Sequence, residues 1–104
     1  MAKVNIQFTL FSAFYSPLIL TMSGGFLEEE GLDYEWSVAE PGKTAVESLV
    51  EGIAEVVQTA PSQSFGPLSR GETTSWAHFA QINEMDGFFI SGREVDPDFT
   101  WKKL

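Results

Sequence analysis

Val4-Asn5-Ile6-Gln7-Phe8-Thr9-Leu10, followed a few residues later by Ser16-Pro17-Leu18-Ile19-Leu20, decides how this chain is read. In the first run apolar Val4, Ile6, Phe8 and Leu10 alternate with polar Asn5, Gln7 and Thr9, the period of two that a strand needs to present different chemistry on its two faces. In the second, a serine that can accept a backbone N–H bond precedes a proline, whose missing donor costs nothing at the first helical position. A strand running into a helix is the opening of an α/β unit.

Working outward, Gly24-Gly25 stops that helix, and residues 26–31 read as a short helical turn ended by Gly31. A second strand is expected over residues 32–39. Pro41-Gly42-Lys43-Thr44 then leads into a helix whose apolar residues Ala45, Val46, Leu49, Val50 and Ile53 share one face. Glu47 and Glu51 stand on its outer side with Glu55 beyond, a solvated face. Residues 56–60, Val-Val-Gln-Thr-Ala, suit a short strand buried on both sides and run into Pro61-Ser62, a further helix start closed by Gly71. Pro67 lies too far inside for a regular helix, so this one is expected to be short or kinked. Alternation returns over residues 76–82, and 87–93 is another apolar run bounded by glycines. Residues 1–93 thus read as a single α/β domain, and 94–104 as a polar connector anchored by Phe99 and Trp101.

Strands separated by helices imply parallel pairing, because a parallel neighbour needs a crossover. The expected fold is α/β, a three-layer, mostly parallel sheet of four or five strands flanked by helices. Ligands of such sheets lie beyond the carboxyl ends of the strands, which nominates the loops 11–16, 40–44 and 59–64. The candidate ligand-binding residues are Ser12, Phe14, Tyr15, Thr44, Thr59, Ser62 and Gln63. The hydroxyls and the carboxamide would hydrogen-bond a ligand, and helix N-termini near Thr44 and Ser62 would add partial positive charge. Ser16, Thr44 and Ser62 have a second reading as simple helix caps, and Phe11, Phe14 and Tyr15 a second reading as packing residues. Both stay open at this level.

The chain has 104 residues, enough for one small core, with 15 acidic and 6 basic side chains and a net charge of −9. That balance leaves no electrostatic footprint for a nucleic-acid backbone. With no cysteine there is no disulfide, thiolate nucleophile or cysteine-based metal site. The single histidine, His78, lacks the partners that acid-base or metal chemistry requires and is expected to pack in a strand. Glu28-Glu29-Glu30 cannot converge on one ion from successive helical positions. No phosphate-cradling, nucleophile-elbow or zinc-protease motif occurs, so no catalytic residue, cofactor or metal is assigned. The apolar stretch 10–22 is too short to span a bilayer and has only Lys3 before it as a basic leader, so no signal peptide is legible.

Several segments, taken in order, resemble a known family. Phe14-Tyr15-Ser16-Pro17-Leu18 with residues 24–33, Gly-Gly-Phe-Leu-Glu-Glu-Glu-Gly-Leu-Asp, is similar to the opening "YxPL…kGfFeeeGLd" of the NMT1/THI5-like family. Leu49-Val50-Glu51-Gly52-Ile53-Ala54-Glu55 resembles its "LxxGxAD" element, with Glu55 where aspartate is usual, and residues 88–104 resemble "f.l.gRe…FtwkdLkGk". The family includes substrate-binding proteins of ABC importers. The resemblance implies the type 2 periplasmic-binding-protein fold, with this chain matching part of lobe 1, and a small organic or anionic ligand shared with a second lobe. It further implies an ABC permease as partner and an extracytoplasmic location where a leader has been removed, or a cytoplasmic one where the chain stands as written. A lobe without its counterpart would bind ligand weakly and would expose a sheet edge or cleft wall through which copies could associate. The family's pyrimidine-synthase branch gives an enzymatic alternative. It carries a histidine where Gln63 stands, together with a cysteine-rich motif absent here. A third reading is a regulatory or assembly module without ligand binding.

Overall fold

The computed structural model describes residues 2–84 and 91–103. Strand β1 (Ala2–Phe8) is followed by a 3-10 turn, Ala13–Tyr15, and by helices α1 (Ser16–Ser23) and α2 (Phe26–Glu29). Strand β2 (Leu32–Val38), helix α3 (Ala45–Val50) and strand β3 (Val56–Gln58) come next. A second 3-10 turn, Pro61–Ser64, leads directly into α4 (Phe65–Ser69).

The three strands form a parallel sheet in the order β2-β1-β3. Ala2 pairs with Leu32 and Phe8 with Val38 on one side, and Ile6 pairs with Val56 and Phe8 with Gln58 on the other. The chain is therefore α/β with a parallel sheet flanked by helices. The first crossover moves outward from the central strand and the second returns across it, so crossovers of the usual hand place α1 and α2 on one face and α3 on the other.

The alternation of β1 is carried into packing. Ile6, Phe8 and Met22 form the buried cluster, with Val4, Leu18, Ile19, Leu27, Tyr34 and Val56 packed around it. Phe8 is fully enclosed at 0% exposure. On the opposite face α3 packs against β1 and β3 through Ala45, Val46 and Ser48, all buried. That face of β1 is polar, and buried Gln7 reaches Ser37 of β2 with its Nε2 at 3.3 Å while its Oε1 has no hydrogen-bond partner.

Local signals explain most boundaries. Gly25, Gly31, Gly52 and Gly71 all have positive φ, and Gly52 (φ 74°) ends α3. There the Gly52 N–H donates to the Leu49 carbonyl at 3.2 Å and the Ile53 N–H to Ser48 at 2.9 Å, the double closure of a Schellman motif. Ile53, expected on the helix, is thereby turned out and is 53% exposed. Thr44 begins α3 with a capping box, accepting from the Glu47 N–H at 3.2 Å while the Glu47 carboxylate accepts from the Thr44 N–H at 2.6 Å. Ser16 departs from expectation. Its hydroxyl donates back to the Ala13 carbonyl, because Ser12 has already capped the preceding turn by accepting from the Phe14 N–H.

The expected strand over 76–82 does not form, and His78 is accordingly not a strand residue. Among the described residues the sheet has three strands rather than four or five. The apolar run 87–93 lies mostly outside the described residues, and its described end, 91–93, is neither helix nor strand. Among the described residues from 94 onward, the helical element is the 3-10 turn Trp101–Lys103.

Two carboxylates, one linking β1 to the start of β3 and one capping α3, predict an acid response. Glu55, just ahead of β3, accepts from the Asn5 N–H at 2.7 Å and from Asn5 Nδ2 at 2.9 Å, standing in for a strand carbonyl before β3 begins. The donated Asn5 N–H, then the Asn5 carboxamide, hold the Glu55 carboxyl below its ordinary value near 4.5, and the Thr44 N–H and hydroxyl do the same for Glu47. A carboxyl depressed on folding adds stability above its unfolded value, and that stability disappears as pH falls through the folded value. The urea midpoint is therefore expected to hold at neutral pH and to decline below about pH 4.5. Glu55→Gln should make that decline shallower; an equal slope in the variant would remove Glu55 from the account.

Candidate functional site

Because β1, β2 and β3 are parallel, their carboxyl ends lie on one edge of the sheet, and all three nominated loops leave from it. The central strand anchors its neighbours there. The Ala39 N–H donates to the Phe8 carbonyl at 2.8 Å, and the Thr9 hydroxyl donates to the Gln58 carbonyl at 2.8 Å. Loops 11–16, 40–44 and 59–64 are thereby held side by side.

The seven candidate residues all fall on this edge, in different circumstances. Ser62 and Gln63 are exposed, on the turn Pro61–Ser64, whose start at Ala60 has no side-chain cap. Ser62 therefore does not cap, which leaves its hydroxyl to other partners. Thr59 is half-buried immediately after β3. Ser12 and Thr44 both cap, and the Thr44 hydroxyl also donates to the Glu47 carboxylate at 3.1 Å. Helix α3 has six residues and the turn at Ser62 four, so what each end offers is the local effect of its first backbone amides. Tyr15 packs onto the core cluster, and Phe14, 38% exposed, meets it edge-on at 5.3 Å. The structure thus places Tyr15 in the packing role and leaves Phe14 at the surface.

Sequence reading missed Trp36. It stacks on Phe11 with ring centroids 4.7 Å apart and planes 20° from parallel, and both rings meet Phe8 edge-on. Both are about half exposed, Phe11 at 46% and Trp36 at 48%. The signal was present: Trp36 shares the alternation of Leu32 and Tyr34 and is registered with Ile6, so it emerges on the α1 face of the sheet. Ser64 was missed as well. It is buried, accepts from Trp76 Nε1 at 3.1 Å and lies 2.9 Å from His78 Nε2.

A cleft of about 230 Å³ is lined by Asn5, Ile6, Glu35, Trp36, Ser37 and Ile53. None of the seven candidates borders it. Among the described residues no cluster of three or more metal-ligating side chains converges, and no helix is long and apolar enough to cross a membrane.

Fold and loop placement define a class: an α/β chain that presents polar loops from one edge of a parallel sheet, where such sheets commonly receive small ligands. The whole chain aligns, at 30% identity over 104 residues, with the Bacillus subtilis protein named "Putative binding protein YtlA". The chain spans 31% of that relative's length. No protein-family model matches, and no solved structure does.

Proposed function

We propose that this chain is one lobe's share of a solute-binding protein serving an ABC-type importer, of the NMT1/THI5-like kind, and that the carboxyl-edge loops form one wall of its ligand site. The observation that carries this reading is the convergence of loops 11–16, 40–44 and 59–64 on one edge of the parallel sheet. Alignment of the whole chain to 31% of the length of a protein named as a binding protein supports it. In this reading Ser62, Gln63 and Thr59 supply hydrogen bonds, Phe14 lies against the ligand, and Ser12 and Thr44 shape the loops that carry them. The ligand is a small organic or anionic molecule, the opposite wall comes from a second lobe, and the assembly works beside a membrane permease outside the cytoplasm. Binding, not turnover, is its activity.

A complete pocket buries 70 to 90% or more of a small ligand, and a single wall buries far less. Calorimetry on the 104-residue chain with methanesulfonate, nitrate and benzoate is expected to show binding weaker than about 1 mM, roughly 4 kcal/mol of affinity. A dissociation constant in the micromolar range would overturn the one-wall reading.

A further inference from the structure

Two of the site's loops are joined by a segment that belongs to neither. After α4 the chain runs through residues 72–84 without helix or strand, yet side chains fasten it at two points. At the first, the Trp76 indole N–H donates to Ser64 Oγ at 3.1 Å, and His78 Nε2 lies 2.9 Å from the same oxygen. Ser64 closes the turn that carries Ser62 and Gln63, and is itself buried. At the second, half-buried Asn83 donates from Nδ2 to the Phe14 carbonyl at 2.8 Å, across 69 residues of sequence. Gln81 braces that contact by donating from Nε2 to the Asn83 carbonyl at 3.0 Å. A segment with no ladder of its own is positioned by these hydrogen bonds, and the loops they reach are those following β1 and β3, neighbouring strands of the sheet.

We infer that residues 74–83 form a strap along the carboxyl edge, with Asn83 as a positioning residue that sets the conformation of the Phe14 loop and Trp76 one that sets the Ser62 turn. The inference rests on the proposed reading of that edge as a ligand site. The strap's hydrogen bonds named above go to the loops after β1 and β3, and none of them to residues 40–44. Its chemistry is specific: a carboxamide N–H meets a backbone carbonyl, so a carboxylate at position 83 would face that carbonyl with the wrong polarity. The Phe14 carbonyl would lose the Asn83 donor, and the loop one of its attachments.

Hydrogen exchange read by NMR on the full chain tests the bracing without any ligand. Asn83→Ala and Asn83→Asp are expected to speed exchange of the Phe14 and Tyr15 amides about three- to tenfold, the effect of one lost hydrogen bond. The Ala39 amide, which donates to Phe8 in the sheet, should not change, and Asn83→Gln should restore part of the protection. Trp76→Phe, which keeps the ring and loses the indole N–H, should release the Ser62 and Gln63 amides in the same way. Unchanged exchange at 14 and 15 in both Asn83 variants would overturn the strap. A second arm titrates wild type and Asn83→Ala with nitrate, methanesulfonate and benzoate. Threefold or greater weakening is expected for any probe that shifts the Thr59 and Ser62 resonances, and equal affinities would sever the strap from the site. A micromolar dissociation constant for any of the three probes would count against the one-wall reading, while the exchange arm would still decide the bracing.

Discussion

Phe8→Ala is expected to lower stability by about 3 to 5 kcal/mol, since Phe8 is the largest fully buried side chain among the described residues. Phe8 is at 0% exposure and meets Met22, Ile6 and the rings of Phe11 and Trp36. Truncation would remove the ring's burial and leave a void at the junction of all three strands, since Phe8 is paired to both neighbours. A domain of this size holds roughly 5 to 15 kcal/mol in total, so one substitution consumes a large share. Urea titration followed by near-ultraviolet circular dichroism would show an early, broad transition. A loss below about 1 kcal/mol, the scale of an Ile→Val change, would mean that the core lies elsewhere.

Ala45→Asp is expected to be comparably severe, for a different reason. Two effects oppose each other at this position. A carboxylate in the first turn of α3 gains about 0.3 to 1 kcal/mol from the backbone amides there. Ala45 is at 0% exposure, however, and faces the sheet beside Val46 and Ser48. Desolvating an unpaired carboxylate costs several kcal/mol, so burial wins. The buried aspartate should titrate upward, because burial disfavours its charged form. Its deficit relative to wild type should therefore shrink as pH falls toward 5, the opposite of the wild-type acid response. Thermal melts at pH 7.5 and 5 test both points, and a pH-independent deficit would show that the side chain had found solvent.

Much of this was legible in the sequence, and the exceptions have physical causes. Strand β1 was readable because its alternation reflects a face that is buried, and α3 because Ala45 and Val46 head an apolar stripe that packs on the sheet; the reciprocal cap of Thr44 and Glu47 emerged only in the structure. Residues 76–82 alternate just as well, yet form no strand. Alternation does not supply a neighbour to pair with, and the indole of Trp76 and the imidazole of His78 meet the Ser64 hydroxyl instead. Ile53 fits the apolar face of α3 by spacing alone, but the left-handed turn at Gly52 diverts the chain before it. At the candidate site, loop positions followed from topology, whereas individual roles did not. Tyr15 and Phe14 are adjacent aromatics, and only tertiary packing sends one to the core and leaves the other at the surface. Asn83 carried no sequence signal, since its partner is a backbone carbonyl 69 positions away.

The strand order β2-β1-β3 puts the first strand of the chain in the middle of the sheet. Its seven residues run from one edge to the other, a distance of about 20 Å at 3.3 Å per residue. Ala2 therefore lies at the edge opposite the carboxyl-end loops. A tether, tag or surface linkage placed there would hold the molecule with its carboxyl-edge loops facing outward, so immobilisation through the amino end is the orientation in which those loops remain open to solution.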